Sequence, residues 1–177
     1  NPDSCIAGTS ILIAVAERFG IWLAPMAVQV FVASPKAREL AQCLCRTPTL
    51  KELKEHDALT LGIGVNGAPE TIGKWNGHLV AVGMGYLCDP TLGQASRPEH
   101  GLILDPCIVE LPDGFYDGED AGGGCNGSEV HYRARPDNCG WADSPDWTRK
   151  RCQRPFVEAV VYDVTRAIGT FTQGDAQ

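Results

Sequence analysis

The sequence predicts an α+β fold: a buried N-terminal helix packed on an antiparallel sheet, then a cysteine- and glycine-rich insertion and a closing C-terminal helix. Three observations carry this reading. Ile6 to Phe19 is the most apolar stretch of the chain, and its few polar interruptions suit a helix at the centre of a domain. Leu79–Val82 and Tyr86–Asp89 are short apolar runs on either side of a Gly-Met-Gly turn, the pattern of a hairpin. Apolar residues at 156, 157, 160, 161, 164 and 168 recur at helical spacing. At 177 residues the chain reads as one domain, 1–177, with a loop-rich insertion at about 112–154.

Taken in order, Asp3 or Ser4 can cap the first helix and Gly20 can end it. Ile21 to Val32 is rich in β-branched and aromatic residues and reads as a strand broken near Pro25. Pro35 to Cys45 has helical composition with proline at a first-turn position. Thr49 to Leu59 reads as a second short helix, opened by a capping box of Thr49 and Glu52. Gly62 to Gly73 reads as a loop. It contains a GxGxxG match, Gly62 to Gly67, but Pro69 follows and no βαβ unit surrounds it, so a dinucleotide site is not inferred. After the hairpin, Leu102-Ile103-Leu104 and Ile108 to Leu111 suggest another strand around Pro106. Residues 112–154 hold Gly122-Gly123-Gly124, several Asp and Pro, and three cysteines, and read as an insertion or a substrate-facing flap. Phe156 to Ile168 closes the chain as a helix.

The formal net charge of −7 disfavours nonspecific binding to nucleic acid or to anionic membranes. The basic cluster Arg149-Lys150-Arg151 with Arg154 reads as a solvated patch. The longest apolar stretch, Ile6 to Val32, is interrupted by Glu17, Arg18, Gly20 and Pro25 and does not read as a membrane span. No signal-peptide pattern is visible, and a cytoplasmic location is expected; a secreted one follows instead if the late cysteines are bonded. Cys43-Leu44-Cys45 is a CxC and not a redox CxxC. Cys125, Cys139 and Cys152, with His131 nearby, are open to three fates: disulfides, a zinc site, or thiols. No cofactor or metal is called for, and oligomeric state is not legible.

The chemistry centres on Cys5. A thiolate attacks a carbonyl carbon far better than a thiol, and a helix N-terminus or a neighbouring imidazolium favours the anion. Cys5 opens the first helix, where backbone N–H groups lack intrahelical partners and could also hold an oxyanion. His78 enters a strand and Asp89 leaves the next, so they can serve as general base and orienting carboxylate. Register decides whether they meet. A two-residue turn at Met84-Gly85 sets Val80 opposite Asp89 and puts His78 and Asp89 on one face as diagonal neighbours. A three-residue turn sends Asp89 to the other face. The even register is expected. Asp105, which repeats the Asp-Pro pattern of Asp89-Pro90, is the runner-up for the third position.

Asp3-Ser4-Cys5 opening a helix, Trp75-Asn76-Gly77-His78 opening a strand, and Asp89-Pro90-Thr91 after a hairpin resemble the core of the papain-like and transglutaminase-like cysteine enzymes, over residues 3 to about 94. The resemblance implies a nucleophile helix packed on an antiparallel sheet that carries His and Asp. It implies Cys5 as nucleophile, His78 as base and acid, and Asp89 as orienter. No glutamine precedes Cys5 where papain-type enzymes place an oxyanion donor; Asn76 and Gln94 are the polar candidates for that role, and Trp75 for shielding the His–Asp pair. The expected function is thiol-dependent acyl transfer on a protein or peptide substrate, by hydrolysis, deamidation or transamidation. The competing reading is a non-catalytic protein-binding module on the same fold.

Overall fold

The computed structural model describes residues 4–64, 75, 77–148 and 150–174. The fold is α+β. Helix α1 (Ser4–Arg18) leads into β1 (Ala24–Ala33), then α2 (Pro35–Leu44), α3 (Leu50–Glu55) and β2 (Thr60–Ile63). The hairpin of β3 (His78–Gly83) and β4 (Tyr86–Asp89) follows, then β5 (Cys107–Glu110), β6 (Ala121–Cys125) and β7 (Ser128–Ala134). A short helix α4 (Pro145–Thr148) precedes the long α5 (Lys150–Gly174).

The described strands form one antiparallel sheet in the order β5-β4-β3-β1-β7-β6, with β2 also on β1. β2 and β3 share one edge of β1 end to end: β3 pairs with Ala24–Val28 and β2 with Val30–Ala33. The outermost strands, β5 and β6, come back towards each other, so the sheet curls almost into a barrel. The Asp105 N–H donates to Cys125 Sγ at 3.3 Å and Asn126 Nδ2 to Asp105 Oδ2 at 2.8 Å, tying the two ends together. The inner face follows the period-2 rule: Val28, Val30 and Val32 of β1, Val80 and Val82 of β3, and Val130 and Tyr132 of β7 are buried in one cluster.

Local chemistry explains most boundaries. Gly20 is left-handed (φ 73°), and the Gly20 and Ile21 N–H groups close α1 by donating to Glu17 and Ala16 carbonyls. Ser34 caps α2 with Pro35 in the first turn, and Thr49 and Glu52 form the expected capping box on α3. Met84 and Gly85 both have positive φ, 53° and 81°, which suits a two-residue hairpin turn to the twist of its strands.

Several expectations are corrected. β1 is not broken at Pro25, which pairs with Ala81 inside the strand. It precedes Val28, where pairing with β7 begins, so its missing N–H interrupts no ladder on that edge. Gly62 and Ile63 are not loop but belong to β2; Gly64 follows in a left-handed bend (φ 69°), and the rest of the glycine-rich stretch, 65–73, lies outside the described residues. Leu102 makes only an isolated bridge to Arg97, and the strand starts at Cys107. The largest correction is at 112–154. It is no insertion, because it supplies β6 and β7, and β7 lies beside the central β1. Gly122 to Gly124 are strand residues on the outer β6. α5 packs on α1, but its stripe is only half used: Val157 is buried and Val161 and Val164 are half-buried, while Phe156, Val160 and Ile168 stay exposed.

Candidate functional site

The hairpin register is the even one. Ala81 pairs with Cys88 and Gly83 with Tyr86, with Met84-Gly85 alone as the turn. Continuing it sets Val80 across from Asp89, so His78 and Asp89 share a face as diagonal neighbours. Their side chains meet: Nε2 of His78 donates to Asp89 Oδ2 at 2.7 Å. Nε2 is thereby committed, which leaves Nδ1 as the nitrogen able to take a thiol proton.

Helix α1, which carries Cys5, is pinned at both sides of this pair. Thr9 lies one turn after Cys5 on the same helix face, and its Oγ1 donates to the Leu79 carbonyl at 2.8 Å, next to His78. Gly8 faces the turn after Asp89: a Cβ at that position would sit 2.5 Å from Thr91 Cγ2. The glycine therefore lets α1 approach more closely than any other residue would. Held this way, Cys5 lies close enough to the His78 ring to favour its protonated form. Cys5 is 5% exposed, His78 5% and Asp89 1%, so the whole set is out of water.

Burial raises the energetic stakes. It works against the charged form of His78, yet the hydrogen bonds and charges of Asp89 and Cys5 outweigh it and raise the imidazole to about 9. Burial likewise opposes charge on Asp89, but His78, the Thr91 N–H and the Tyr132 hydroxyl hold its carboxyl below the usual range. The donors are all explicit. Oδ1 accepts from Thr91 N at 2.9 Å and Thr91 Oγ1 at 3.2 Å; Oδ2 accepts from His78 and from Tyr132 OH at 3.1 Å. Both lone-pair regions of the carboxylate are thus occupied, which fixes its rotation.

Tyr132 was invisible to sequence reasoning. It is fully buried on β7, in the stretch read as an insertion. Since its only proton goes to Asp89, the Cys107 thiol 3.1 Å away must donate to the Tyr132 oxygen. Burial pushes Cys107 up to about 11 and also pushes Tyr132 up, so both stay protonated and keep these roles at neutral pH. The Asn126-Gly127 pair, a strong two-residue hairpin signal, and the buried alternation Ser128, Val130, Tyr132, Ala134 could have revealed β7.

The other candidates fall differently. Asp105 is exposed and engaged with Asn126, so it is not the third member of the set. Gln94 sits in the 3-10 turn Leu92–Ala95 and is exposed. Asn76 lies outside the described residues. Trp75 is half-buried and packs on the cluster of Cys5, Ile6 and Leu79, the thiol side of the site. No disulfide joins the seven cysteines whose side chains are described, and among the described residues no three His, Cys, Asp or Glu side chains are grouped to hold a metal. No helix among the described residues is long and apolar enough to cross a membrane.

No protein-family model, curated protein or solved structure matches the chain.

Proposed function

We propose that this chain is a thiol-dependent acyl-transfer enzyme acting on a protein or peptide through Cys5, His78 and Asp89. The observation that carries the reading is the buried chain of contacts from thiol to imidazole to a four-donor carboxylate, with His78 Nε2 and Asp89 Oδ2 2.7 Å apart. The resemblance to papain-like and transglutaminase-like cores supports it, since a helix bearing the thiol lies against an antiparallel sheet bearing His and Asp.

The chemistry follows from the geometry. His78 takes the Cys5 proton on Nδ1, and the thiolate sulfur attacks the substrate carbonyl carbon. The new C–S bond gives a tetrahedral oxyanion beside the first turn of α1, where the positive end of the helix dipole favours its charge. Collapse breaks the bond to the leaving amine, which departs with the His78 proton and leaves a thioester. Water or an amine, deprotonated by His78, then attacks the thioester and releases Cys5. Water gives hydrolysis or deamidation and an amine gives transamidation. Asp89 holds Nε2 protonated throughout, so that Nδ1 is the working nitrogen. A working thiol must be kept reduced, so a reducing compartment, the cytoplasm, belongs to the same proposal.

Competitive alkylation tests the reading. With limiting iodoacetamide at neutral pH, peptide mapping is expected to find Cys5 modified before the other cysteines despite its burial. If Cys5 reacts no faster than Cys88 or Cys107, the enzyme reading fails and a non-catalytic binding module takes its place.

A further inference from the structure

Three of the four tryptophans of the chain stand around one thiol. Cys5, Ile6 and Leu79 form a small buried cluster, and the partly exposed residues packed on it are Trp75, Trp141 and Trp147. Trp75 is built in place. Its Nε1 donates to Asn138 Oδ1 at 2.5 Å. A Cβ on Gly77 would lie 2.3 Å from its Cζ2, and a Cβ on Gly140 would lie 3.2 Å from its Cδ1. The two glycines therefore let the indole lie against the backbone beside His78. Trp141 and Trp147 meet edge to face, with centroids 4.6 Å apart and planes at 78°. They come from the short segment Gly140–Thr148, whose helix α4 contacts α1.

Filling a core needs apolar volume, which aliphatic residues supply without an N–H to satisfy. Three part-exposed indoles at one thiol are better suited to receiving a ligand. Cys5 is almost closed to solvent, so an acyl donor that reaches it does so against these rings. A charged side chain would lose its hydration on indole and aliphatic surface, whereas an aryl or alkyl group gains by burial there. We infer that Trp75, Trp141 and Trp147 form the acyl-side subsite, and that it selects an uncharged aromatic or aliphatic group next to the carbonyl that Cys5 attacks. This rests on the thiol-enzyme reading above. Asp143 and Asp146 lie between the two paired indoles in sequence, so a cation on indole is the sharpest rival chemistry.

The test compares p-nitrophenyl esters that differ only in the acyl group: phenylacetate, acetate, and the ester of trimethylglycine as a permanent cation. Cys5 acylation is measured by acid quench and peptide mapping, and each rate is divided by that of N-acetylcysteine with the same ester. The phenylacetyl ester is expected to exceed the acetyl ester about tenfold, the gain expected from burying a phenyl ring on indole. The cationic ester is expected to fall below the acetyl ester. Trp141→Ala and Trp147→Ala are expected to shrink the phenylacetyl-to-acetyl ratio several-fold, while Trp22→Ala, which removes an exposed tryptophan outside the cluster, retains it. Equal normalised rates, a fastest cationic ester, or a ratio unchanged in both Trp141→Ala and Trp147→Ala would overturn the inference. If a variant does not fold, the wild-type rates still decide. Failure of the underlying enzyme reading is distinct: Cys5 would then show no advantage over Cys88 or Cys107 with iodoacetamide or with any ester.

Discussion

Asp89→Asn is the sharpest perturbation of the site because it changes one atom and inverts a hydrogen-bond balance. Four donors converge on the carboxylate: the Thr91 N–H and hydroxyl on Oδ1, and His78 Nε2 and the Tyr132 hydroxyl on Oδ2. An amide can accept on only one side. The Thr91 N–H is a fixed donor, while hydroxyls rotate and imidazole can change tautomer, so the Asn oxygen is expected to face Thr91 and its NH2 to face His78. His78 must then accept on Nε2 and carry its proton on Nδ1, towards Cys5, where it can no longer receive the thiol proton. Without the carboxylate charge, burial also drives His78 from about 9 to its ordinary 6.5 or below. That loss is about 2.5 pK units, or about 3 kcal/mol of stabilisation of the imidazolium. The same energy in a barrier is roughly two orders of magnitude in rate. The assay pairs imidazole NMR titration of His78 with the rate of Cys5 alkylation. A variant with His78 still titrating near 9, or with Cys5 alkylated as fast as in the wild type, would refute the coupling.

The remaining predictions concern the same cluster. His78 is raised above its ordinary 6.5, so its contribution is complete below that value and is lost as pH rises through about 9; Asp89 is lowered, so its contribution is present above about 3.8 and is lost as pH falls. Unfolding free energy from urea titration is therefore expected to fall by up to about 3 kcal/mol between pH 6 and 10 in the wild type, with little fall in Asp89→Asn. Gly8→Ala should gain up to about 1 kcal/mol in helix propensity, but its Cβ meets Thr91 Cγ2, and overpacking costs about 1–3 kcal/mol. A net loss by urea denaturation is expected, and a net gain would contradict the close packing of α1 on the Asp89–Thr91 turn. Tyr132→Phe removes a donor from Asp89 and leaves the Cys107 thiol without its acceptor, a loss of about 1–3 kcal/mol with a several-fold drop in Cys5 acylation. Unchanged stability and rate would show that the Thr91 donors suffice.

The parts of this molecule legible in the sequence were those set by local pattern. The apolar run after Cys5, the Thr49–Glu52 box and the Met84-Gly85 turn each involve neighbours in sequence, and the turn length alone fixed which face Asp89 takes. What escaped depended on nonlocal pairing. Nothing near Tyr132 announces that β7 joins β1, two strands from β4 and 43 residues from Asp89. Glycine, proline and aspartate density around 112–154 argued for loop, yet Gly122 to Gly124 are tolerated because β6 is an outer strand with its middle exposed. The Asn126-Gly127 turn was the local signal that this composition overrode. Trp141 and Trp147 are a similar case: the tertiary packing of Gly140–Thr148 carries them to Cys5, and no periodicity foretells that.

The central claim, a thioester formed on Cys5 with the help of His78, is tested most directly by trapping it. Protein mixed briefly with p-nitrophenyl acetate at neutral pH and quenched in acid is expected to carry one acetyl group, located by peptide mapping on Cys5. That adduct should be absent in His78→Ala. An acetyl group spread over other cysteines and lysines, or an equal yield on Cys5 in His78→Ala, would contradict the account.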